Sequence, residues 1–463
     1  MSDADHLPAR EEAPQSATDG STTKIPPAGA RRFFSRIFGS LAGAAASRTP
    51  ANLRDARRAI ALCHVLLSER GEVSGLRLAR EALSAYQSFD ALTLDAFFDL
   101  LVKEFSPEPH EINRAIETYR QESSQTNLMR LRAVIEGPRP ELFRRCNIAP
   151  GGTGMLVQMR HQLLRTLADH PERAGIDADL IHLFRSWFNR GFLVLRRIDW
   201  RTSALVLERL IRYEAVHQIQ GWNDLHRRLE ADRRCYAFFH PAFPDEPLIF
   251  IEVALTRGLS AKVQPLLDTN SLVIDPATAN CAIFYSITNC QEGLRGVSFG
   301  NSLIKQVVED LGRELPRLRT FGTLSPIPGF RKWLDTSSDA RNRSPQLTAL
   351  LARLDGRDPQ APLAISSHLR DELIRSCAHY LLHAKHGKAP LDPVARFHLA
   401  NGARLQRLNW LGDISENGAQ QSVGLMANYV YHARDMDRNL EAYAKDYRII
   451  AAHELERLAK ECR

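Results

Sequence analysis

The stretch CAIFYSITNCQEGLRGVSFGNSLIKQVVEDLG, residues 281 to 312, decides the fold of the second half of this chain. It begins with a run of β-branched and aromatic residues, which predicts a buried strand. It ends in an amphipathic helix whose apolar face carries Leu303, Ile304, Val307, Val308 and Leu311. Between them lies a loop in which Gly293, Gly296 and Gly300 allow tight turns. This order of elements predicts an α+β sheet domain.

The remaining sequence predicts a multidomain α and α+β chain. Further strands are predicted for RCYAFFHP, PLIFIEVAL, LRTFGTLSP and RLQRLNWLGD, so that the α+β domain covers residues 191 to 463. Residues 50 to 190 show helical periodicity in ARRAIALCHVLLSE, LDAFFDLLVKEF, HEINRAIETYRQESSQTNLMRLRAVIEG and LIHLFRSWFNRGFLVLRRI, which predicts an α-helical bundle. Residues 1 to 49 read as a flexible basic tail that docks on a protein or touches a membrane surface.

Composition limits the function classes. The chain has 463 residues with 44% hydrophobic and 25% charged residues, which is an ordinary globular balance. The chain has 61 Lys and Arg residues and 54 Asp and Glu residues. This mild excess of positive charge leaves nucleic acid, lipid head groups and phosphorylated cofactors open as partners. Seven cysteines without a C-x-x-C pair indicate free thiols in a reducing compartment. Since no apolar run reaches roughly 18 residues, we expect no stable membrane association.

The glycine-rich loop could bind phosphate. It leads into the N-terminus of a helix, whose free backbone N–H groups and dipole attract anions. It matches neither the Walker A nor the dinucleotide fingerprint. It resembles instead the R/Q-x-x-G-x-G/A loop of the acetyl-CoA-dependent N-acetyltransferase superfamily, read as Arg295-x-x-Ser298-x-Gly300, with Ser298 where that pattern has glycine. A plain strand-to-helix turn is the alternative.

Two polar residues are candidates for catalysis. In TLSPIPGFRKWL, Pro326 and Pro328 restrain the backbone around Ser325, which suits a reactive hydroxyl or simply a rigid loop. His398 follows a proline-marked turn and precedes the turn signal Asn401-Gly402, and a lone histidine there is either structural or catalytic. The segment SVGLMANYVY brings Asn428, Tyr429 and Tyr431 together, in a pocket or a packed corner.

Two other patterns favour structure over chemistry. The glycine-rich GGTGM at 151 to 155 lacks a lysine partner and predicts a turn at the start of a helix. His379, His383 and His386 recur at helical spacing but lack the interleaved carboxylate of H-E-x-x-H, so they predict an ordinary helix face. We expect no metal site.

Five blocks together resemble the malonyl-CoA decarboxylase family: FFHPAFPDEPLIFIEVALT, AIFYSITNCQEGLRGVSFGNSLIKQVV, FGTLSPIPGFRKWL, DPVARFHLANGARLQRLNW and SVGLMANYVY. The resemblance implies a helical oligomerisation domain followed by a catalytic domain with the N-acetyltransferase fold. It implies catalytic roles for Ser325 and His398 and a pocket role for Tyr431. The residues implied to bind CoA are Arg295, Gly296, Val297, Ser298, Phe299, Gly300 and Asn301.

The implied activity is conversion of malonyl-CoA to acetyl-CoA and CO2 through an enolate, with Ser325 engaging the substrate and His398 donating the proton. The thioester is itself an electron sink, so we expect no cofactor beyond the CoA of the substrate. Alternatives are a CoA-dependent N-acyltransferase and a non-catalytic CoA-sensing scaffold. We expect a homo-oligomer, a dimer or a tetramer, with no nucleic-acid partner. The ending KECR, in place of a peroxisomal S-K-L, favours the cytoplasm.

Overall fold

A computed structural model describes residues 51–297, 299, 303–336 and 344–461. The predicted basic tail, residues 1 to 49, lies outside the described residues. The predicted helical first half is confirmed, and its helices are α1 (Ala51–Ser68), α2 (Glu72–Gln87), α3 (Ala91–Phe105), α4 (Pro109–Gln121), α5 (Gln125–Glu136), α6 (Arg139–Ile148), α7 (Gly152–Thr166) and α8 (Ala174–Trp187).

Local sequence explains where several of these helices begin. Asp90 caps α3 by accepting a hydrogen bond from the backbone N–H of Thr93. Ser124 caps α5 in the same way, which splits the long periodic run after α4 into two helices. The turn predicted at GGTGM is confirmed, since Gly151 has a φ of 75° and α7 begins at the next residue.

One part of the helical prediction is wrong. In LIHLFRSWFNRGFLVLRRI only the beginning is helical, because α8 ends at Trp187 and a short 3-10 turn follows at Arg190–Phe192. Val194–Ile198 forms the edge strand β1 instead. Asn189 caps the 3-10 turn through the N–H of Gly191, and the apolar residues beyond it pair with a strand that comes much later in the sequence.

The predicted α+β second half is also confirmed. Its helices are α9 (Ala204–Tyr213), α10 (Trp222–Arg228), α11 (Gln264–Leu267), α12 (Leu303–Glu314), α13 (Phe330–Thr336), α14 (Pro345–Asp355), α15 (Ser367–His383), α16 (Pro393–Ala400), α17 (Glu416–Ser422), α18 (Met436–Asp446) and α19 (His453–Lys460). The strands after β1 are β2 (Arg233–Phe239), β3 (Ile249–Thr256), β4 (Cys281–Asn289), β5 (Thr320–Thr323), β6 (Ser325–Pro326), β7 (Lys385–His386), β8 (Ala389–Pro390), β9 (Arg404–Asn409) and β10 (Met426–Tyr431).

The sheet is mixed, and its strand order is β1-β2-β3-β4-β5-β10-β6, with β9 paired to β10 and β7 paired separately to β8. All five apolar residues predicted for the face of α12 are buried. One apolar core joins the helical half to the sheet through Phe184, Phe188, Phe238 and Phe284. No described helix is both long and apolar enough to cross a membrane.

Two neighbouring strands separate at the middle of the sheet. β4 and β5 run parallel and pair from Cys281 opposite Thr320 to Phe284 opposite Thr323. β4 then continues to Asn289, whereas the chain after β5 stays paired with β10, in the same register, as β6. At the point of separation Tyr285 has no partner in β3, which makes a β-bulge. The backbone edge of β4 beyond Phe284 therefore faces a gap in the sheet.

Candidate active site

A cavity of about 240 Å³ lies where β4 separates from β5. Its walls come from β4, from the β5–β6 segment and from α16, and include Phe284, Ser286, Ile287, Leu324, Ser325, Val394, Phe397 and His398. The site residues Ser325 and His398, which are 73 positions apart in the sequence, meet on its wall.

Ser325 is fixed by its backbone and by two hydrogen bonds. It pairs with Ala427 of β10 in the two-residue strand that Pro326 completes, and only 5% of its surface is exposed. Its hydroxyl donates to Oγ1 of Thr323 at 2.8 Å. Its Oγ also lies 2.9 Å from Nε2 of His398.

His398 lies in the last turn of α16, whose first turn is capped by Asp392 through the N–H groups of Val394 and Ala395. The imidazole stacks on the ring of Tyr429, with centroids 4.6 Å apart and an angle of 27° between the planes. Its Nδ1 lies 2.7 Å from the hydroxyl of Tyr431, which is fully buried on β10. Both nitrogens and one face of the ring are therefore constrained.

The hydrogen bonds have a consistent direction. Because Ser325 donates to Thr323, its oxygen accepts the hydrogen on Nε2 of His398, and Nδ1 is left to accept from Tyr431. Burial lowers the pKa of His398 from 6.5 to about 3, so the imidazole is neutral at physiological pH. Burial raises the pKa of Tyr431 well above its usual value, which keeps the phenol protonated. The result is a neutral chain of donors from Tyr431 to Ser325.

Sequence reasoning missed Thr323 and left Tyr429 without a specific role. Thr323 stands two residues before Ser325, and its Oγ1 also accepts from the backbone N–H of Tyr429 at 3.1 Å. The period of two along a strand was a signal that could have placed Thr323 on the same side as Ser325.

A buried carboxylate behind the cavity had no signal in the sequence. Glu214 accepts hydrogen bonds from the hydroxyl of Ser286 at 2.9 and 2.8 Å and from that of Thr288 at 3.2 Å. It also accepts from the backbone N–H groups of Val216 and His217. Since Ser286 and Val216 line the cavity, Glu214 supports this part of its wall.

The predicted phosphate-binding loop begins where β4 ends, so it continues from a strand that lines the cavity. Arg295 is exposed, and Gly296 has a φ of 81°, a conformation that favours glycine. Val297 and Phe299 are buried. Ser298, Gly300 and Asn301 lie outside the described residues. The described part of the predicted CoA-binding loop therefore follows directly after a strand that lines the cavity, and none of its described residues lies on the wall beside Ser325 and His398.

The remaining candidate clusters lie apart from the cavity wall. The helix α15 ends at His383, and His386 lies on β7, so the three histidines do not share one helix as their spacing suggested. Among the described residues, Asp99, His170 and Glu172 approach one another closely enough to share a metal ion. Asp99 instead pairs with the buried Arg173, and His170 pairs with Glu172, which accounts for the group without a metal.

Comparisons with known proteins agree with one another. A family model described as the malonyl-CoA decarboxylase C-terminal domain matches residues 191–463, and one described as the N-terminal domain matches residues 105–188. The chain is 36% identical over 373 residues to the mitochondrial malonyl-CoA decarboxylase of Anser anser anser, with 74% of each chain covered. It is 35% identical over 353 residues to that of Rattus norvegicus, covering 70% of this chain and 72% of the other.

Solved structures are similar over most of their length. The crystal structure of malonyl-CoA decarboxylase from Rhodopseudomonas palustris matches with a TM-score of 0.80 and 48% identity, covering 87% of this chain and 99% of the other. The enzyme from Agrobacterium vitis matches with a TM-score of 0.79 and 45% identity over the same shares of the two chains.

Proposed function

The chain belongs to the malonyl-CoA decarboxylase family, and we propose that its buried Ser325 and His398 carry out the conversion of malonyl-CoA to acetyl-CoA and CO2. The family assignment establishes a carboxy-lyase; the roles of individual residues are our proposal. The observation that carries these roles is the 2.9 Å contact between Ser325 and His398 on the wall of the cavity.

The cavity suits the acyl end of the substrate. Its volume of about 240 Å³ is below the roughly 300–1,000 Å³ of pockets that enclose a drug-sized ligand. It therefore fits the short malonyl thioester rather than the whole of CoA. Phe284, Ile287, Leu324 and Phe397 supply apolar walls, and a carboxylate moved from water into such surroundings is destabilised relative to neutral CO2.

The reaction needs a donor for the developing enolate and a proton for its carbon. When the carboxylate leaves as CO2, the electrons of the broken C–C bond pass into the thioester. The Ser325 hydroxyl turns from Thr323 to the substrate carboxylate or thioester oxygen and stabilises it. His398 then transfers the Nε2 proton to the carbon while Nδ1 takes the proton of Tyr431. The product is acetyl-CoA. After it leaves, Nε2 takes a proton from water in the cavity while Nδ1 returns its proton to Tyr431, so both side chains are restored and one proton is consumed for each CO2 released.

The glycine loop supplies the proposed contact to CoA. Its backbone N–H groups would meet the pyrophosphate, and the exposed Arg295 would pair with a phosphate. The pantetheine arm would reach the cavity through the gap between β4 and β5. This parallel pair that separates next to a phosphate loop supports the predicted likeness to the N-acetyltransferase fold. Replacing Arg295 with Ala should raise KM for malonyl-CoA, and an unchanged KM would contradict this role.

The chemistry asks for no cofactor beyond the CoA of the substrate, because the thioester accepts the electrons. The division into a tail over 1 to 49, an oligomerisation bundle over 50 to 190 and a catalytic domain over 191 to 463 is part of this proposal. We also propose that the protein is a dimer or a tetramer, and light scattering would measure the mass of the oligomer. The buried free thiols among the described residues suit a reducing compartment. We propose the cytoplasm, and cell fractionation would distinguish it from the organelle named for the animal relatives.

The direct test is incubation of the purified protein with malonyl-CoA alone, with acetyl-CoA and CO2 measured together. Equal amounts of both products are expected without an amine acceptor. Ser325→Ala and His398→Ala should remain folded and lose roughly two to four orders of magnitude in kcat, the usual size of such general acid–base and oxyanion contributions. If either variant turned over at nearly the wild-type rate, that residue would have no part in the mechanism.

A further inference from the structure

A buried arginine of the helical half reaches the glycine loop of the sheet domain. Arg160 lies on α7 and is only 2% exposed. Its Nη1 donates to the backbone carbonyl of Gly293 at 2.7 Å and to that of Arg295 at 2.8 Å. One guanidinium nitrogen therefore bridges two carbonyls at the start of the loop, directly before the turn at Gly296.

The guanidinium is itself anchored within the helical half. Its Nε donates to Oδ1 of Asp177 on α8 at 2.7 Å. A planar guanidinium that is bound on one side by a carboxylate has little freedom to rotate, so its other side presents donors in a fixed direction. The position of the two loop carbonyls thus depends on the packing of α7 against α8.

Close packing provides a second, independent link between the same parts. A Cβ added to Gly293 would lie 2.0 Å from the backbone carbonyl oxygen of Val157 on α7. The loop backbone therefore touches the helix backbone, and the residue at this position has to be glycine. Both the hydrogen bonds and the contact hold the first residues of the loop against α7.

We propose that Arg160 is a positioning residue for CoA binding, through which the helical half sets the positions of Gly293 and Arg295 at the start of the glycine loop. The inference rests on the proposed function, in which this loop binds the CoA phosphates. Backbone N–H groups bind a phosphate well only when they point to one place, and a loop that must be ordered on binding loses affinity. The helical half would then contribute to substrate affinity as well as to any oligomer contact.

The test compares two buried arginines that pair with the same helix. Arg139 is 4% exposed, and its Nε donates to Oδ2 of Asp179 on α8 at 2.7 Å, which matches the pair of Arg160 with Asp177. Its other hydrogen-bond partner is Ser106, and it has no hydrogen bond to a described residue of the loop. Arg139→Gln therefore removes an equivalent buried ion pair and leaves the loop contacts in place.

For Arg160→Gln we expect KM for malonyl-CoA, and the Kd for CoA measured by calorimetry, to rise about tenfold, the usual effect of losing a charged hydrogen bond. We expect kcat to change less than about threefold, because Arg160 does not line the cavity. Arg139→Gln should lower the melting temperature by a similar amount and leave KM at the wild-type value. Arg160→Lys, which keeps the charge and one donor to the carbonyls, should restore part of the affinity and guards against a Gln variant that fails to fold.

The inference is overturned if KM and Kd in the Arg160 variants stay within about twofold of the wild-type values. It is also overturned if KM rises as much in Arg139→Gln as in Arg160→Gln, because that result would indicate general loosening of the bundle. Failure of the proposed function looks different, because the wild-type protein would then bind CoA without releasing CO2. In that case the CoA Kd of the variants would still decide the role of Arg160.

Discussion

Replacing Tyr431 with Phe removes one buried oxygen from the proposed proton path. The lost hydroxyl lies 2.7 Å from Nδ1 of His398 and has no exposed surface, so water cannot readily take its place. Phenylalanine keeps the ring and therefore the packing against Phe284, whose ring centroid lies 6.2 Å away. The substitution consequently tests the hydrogen bond more than the shape of the core.

The expected size of the effect follows from the unpaired nitrogen. Leaving a buried acceptor such as Nδ1 of His398 without its donor costs about 1–3 kcal/mol of free energy. At 1.36 kcal/mol for each factor of ten in rate, this cost corresponds to a fall in kcat of roughly fivefold to 150-fold if it is felt mainly in the transition state. KM should change little, because Tyr431 lies behind His398 and does not line the cavity.

The assay follows acetyl-CoA formation at several concentrations of malonyl-CoA, which separates kcat from KM. Tyr236→Phe is the matched control: Tyr236 is 1% exposed and its hydroxyl donates to Asp310 at 3.0 Å, but it lies on β2 and does not line the cavity. A kcat within about twofold of wild type for Tyr431→Phe would refute the proton path. If Tyr236→Phe lost as much kcat as Tyr431→Phe, the effect would come from destabilisation of the sheet.

Three further predictions concern stability. The pKa of His398 is about 3 in the folded protein and 6.5 in the unfolded chain, so the unfolded state binds the proton first as pH falls. Between pH 6.5 and about pH 5 the unfolding free energy of the wild type should therefore fall by about 1.5 kcal/mol more than that of His398→Asn. An equal fall in both proteins, measured by urea titration at each pH, would contradict a buried neutral imidazole. Gly293→Ala should cost about 1–3 kcal/mol by overpacking against Val157, and an unchanged urea midpoint would argue against their close contact. Ser286→Ala should cost about 1.5–3 kcal/mol in unfolding free energy because buried Glu214 loses a donor, whereas a stability equal to wild type would show that the carboxylate does not depend on it.

Local patterns were sufficient for most of the fold. The strand and the helix within residues 281 to 312 were predicted correctly because each depends on neighbours a few positions away. The prediction failed at Val194–Ile198, where a helical pattern continued past the end of α8. That segment became a strand because β2 offers it a ladder of backbone partners, and tertiary pairing of this kind can override local periodicity.

The residues themselves could be named from the sequence, but their arrangement could not. Prolines around Ser325 indicated a restrained hydroxyl, while the roles of Ser325 and His398 came from the family resemblance. Their contact spans 73 positions and that of His398 with Tyr431 spans 33, so both depend on how β6, β10 and α16 meet. The depressed pKa of His398 also follows from burial, which no local pattern specifies.

The link between the two halves of the chain likewise combines features that the sequence predicts with contacts that it does not. The sequence by itself determined a helical half, a sheet domain and a glycine loop, because hydrophobic periodicity and turn residues are local properties. Only the tertiary structure decided that Arg160 would meet the carbonyls of Gly293 and Arg295, 133 and 135 positions away. Such contacts form when separate elements pack around one core, and the position of each partner then depends on the packing of the whole chain.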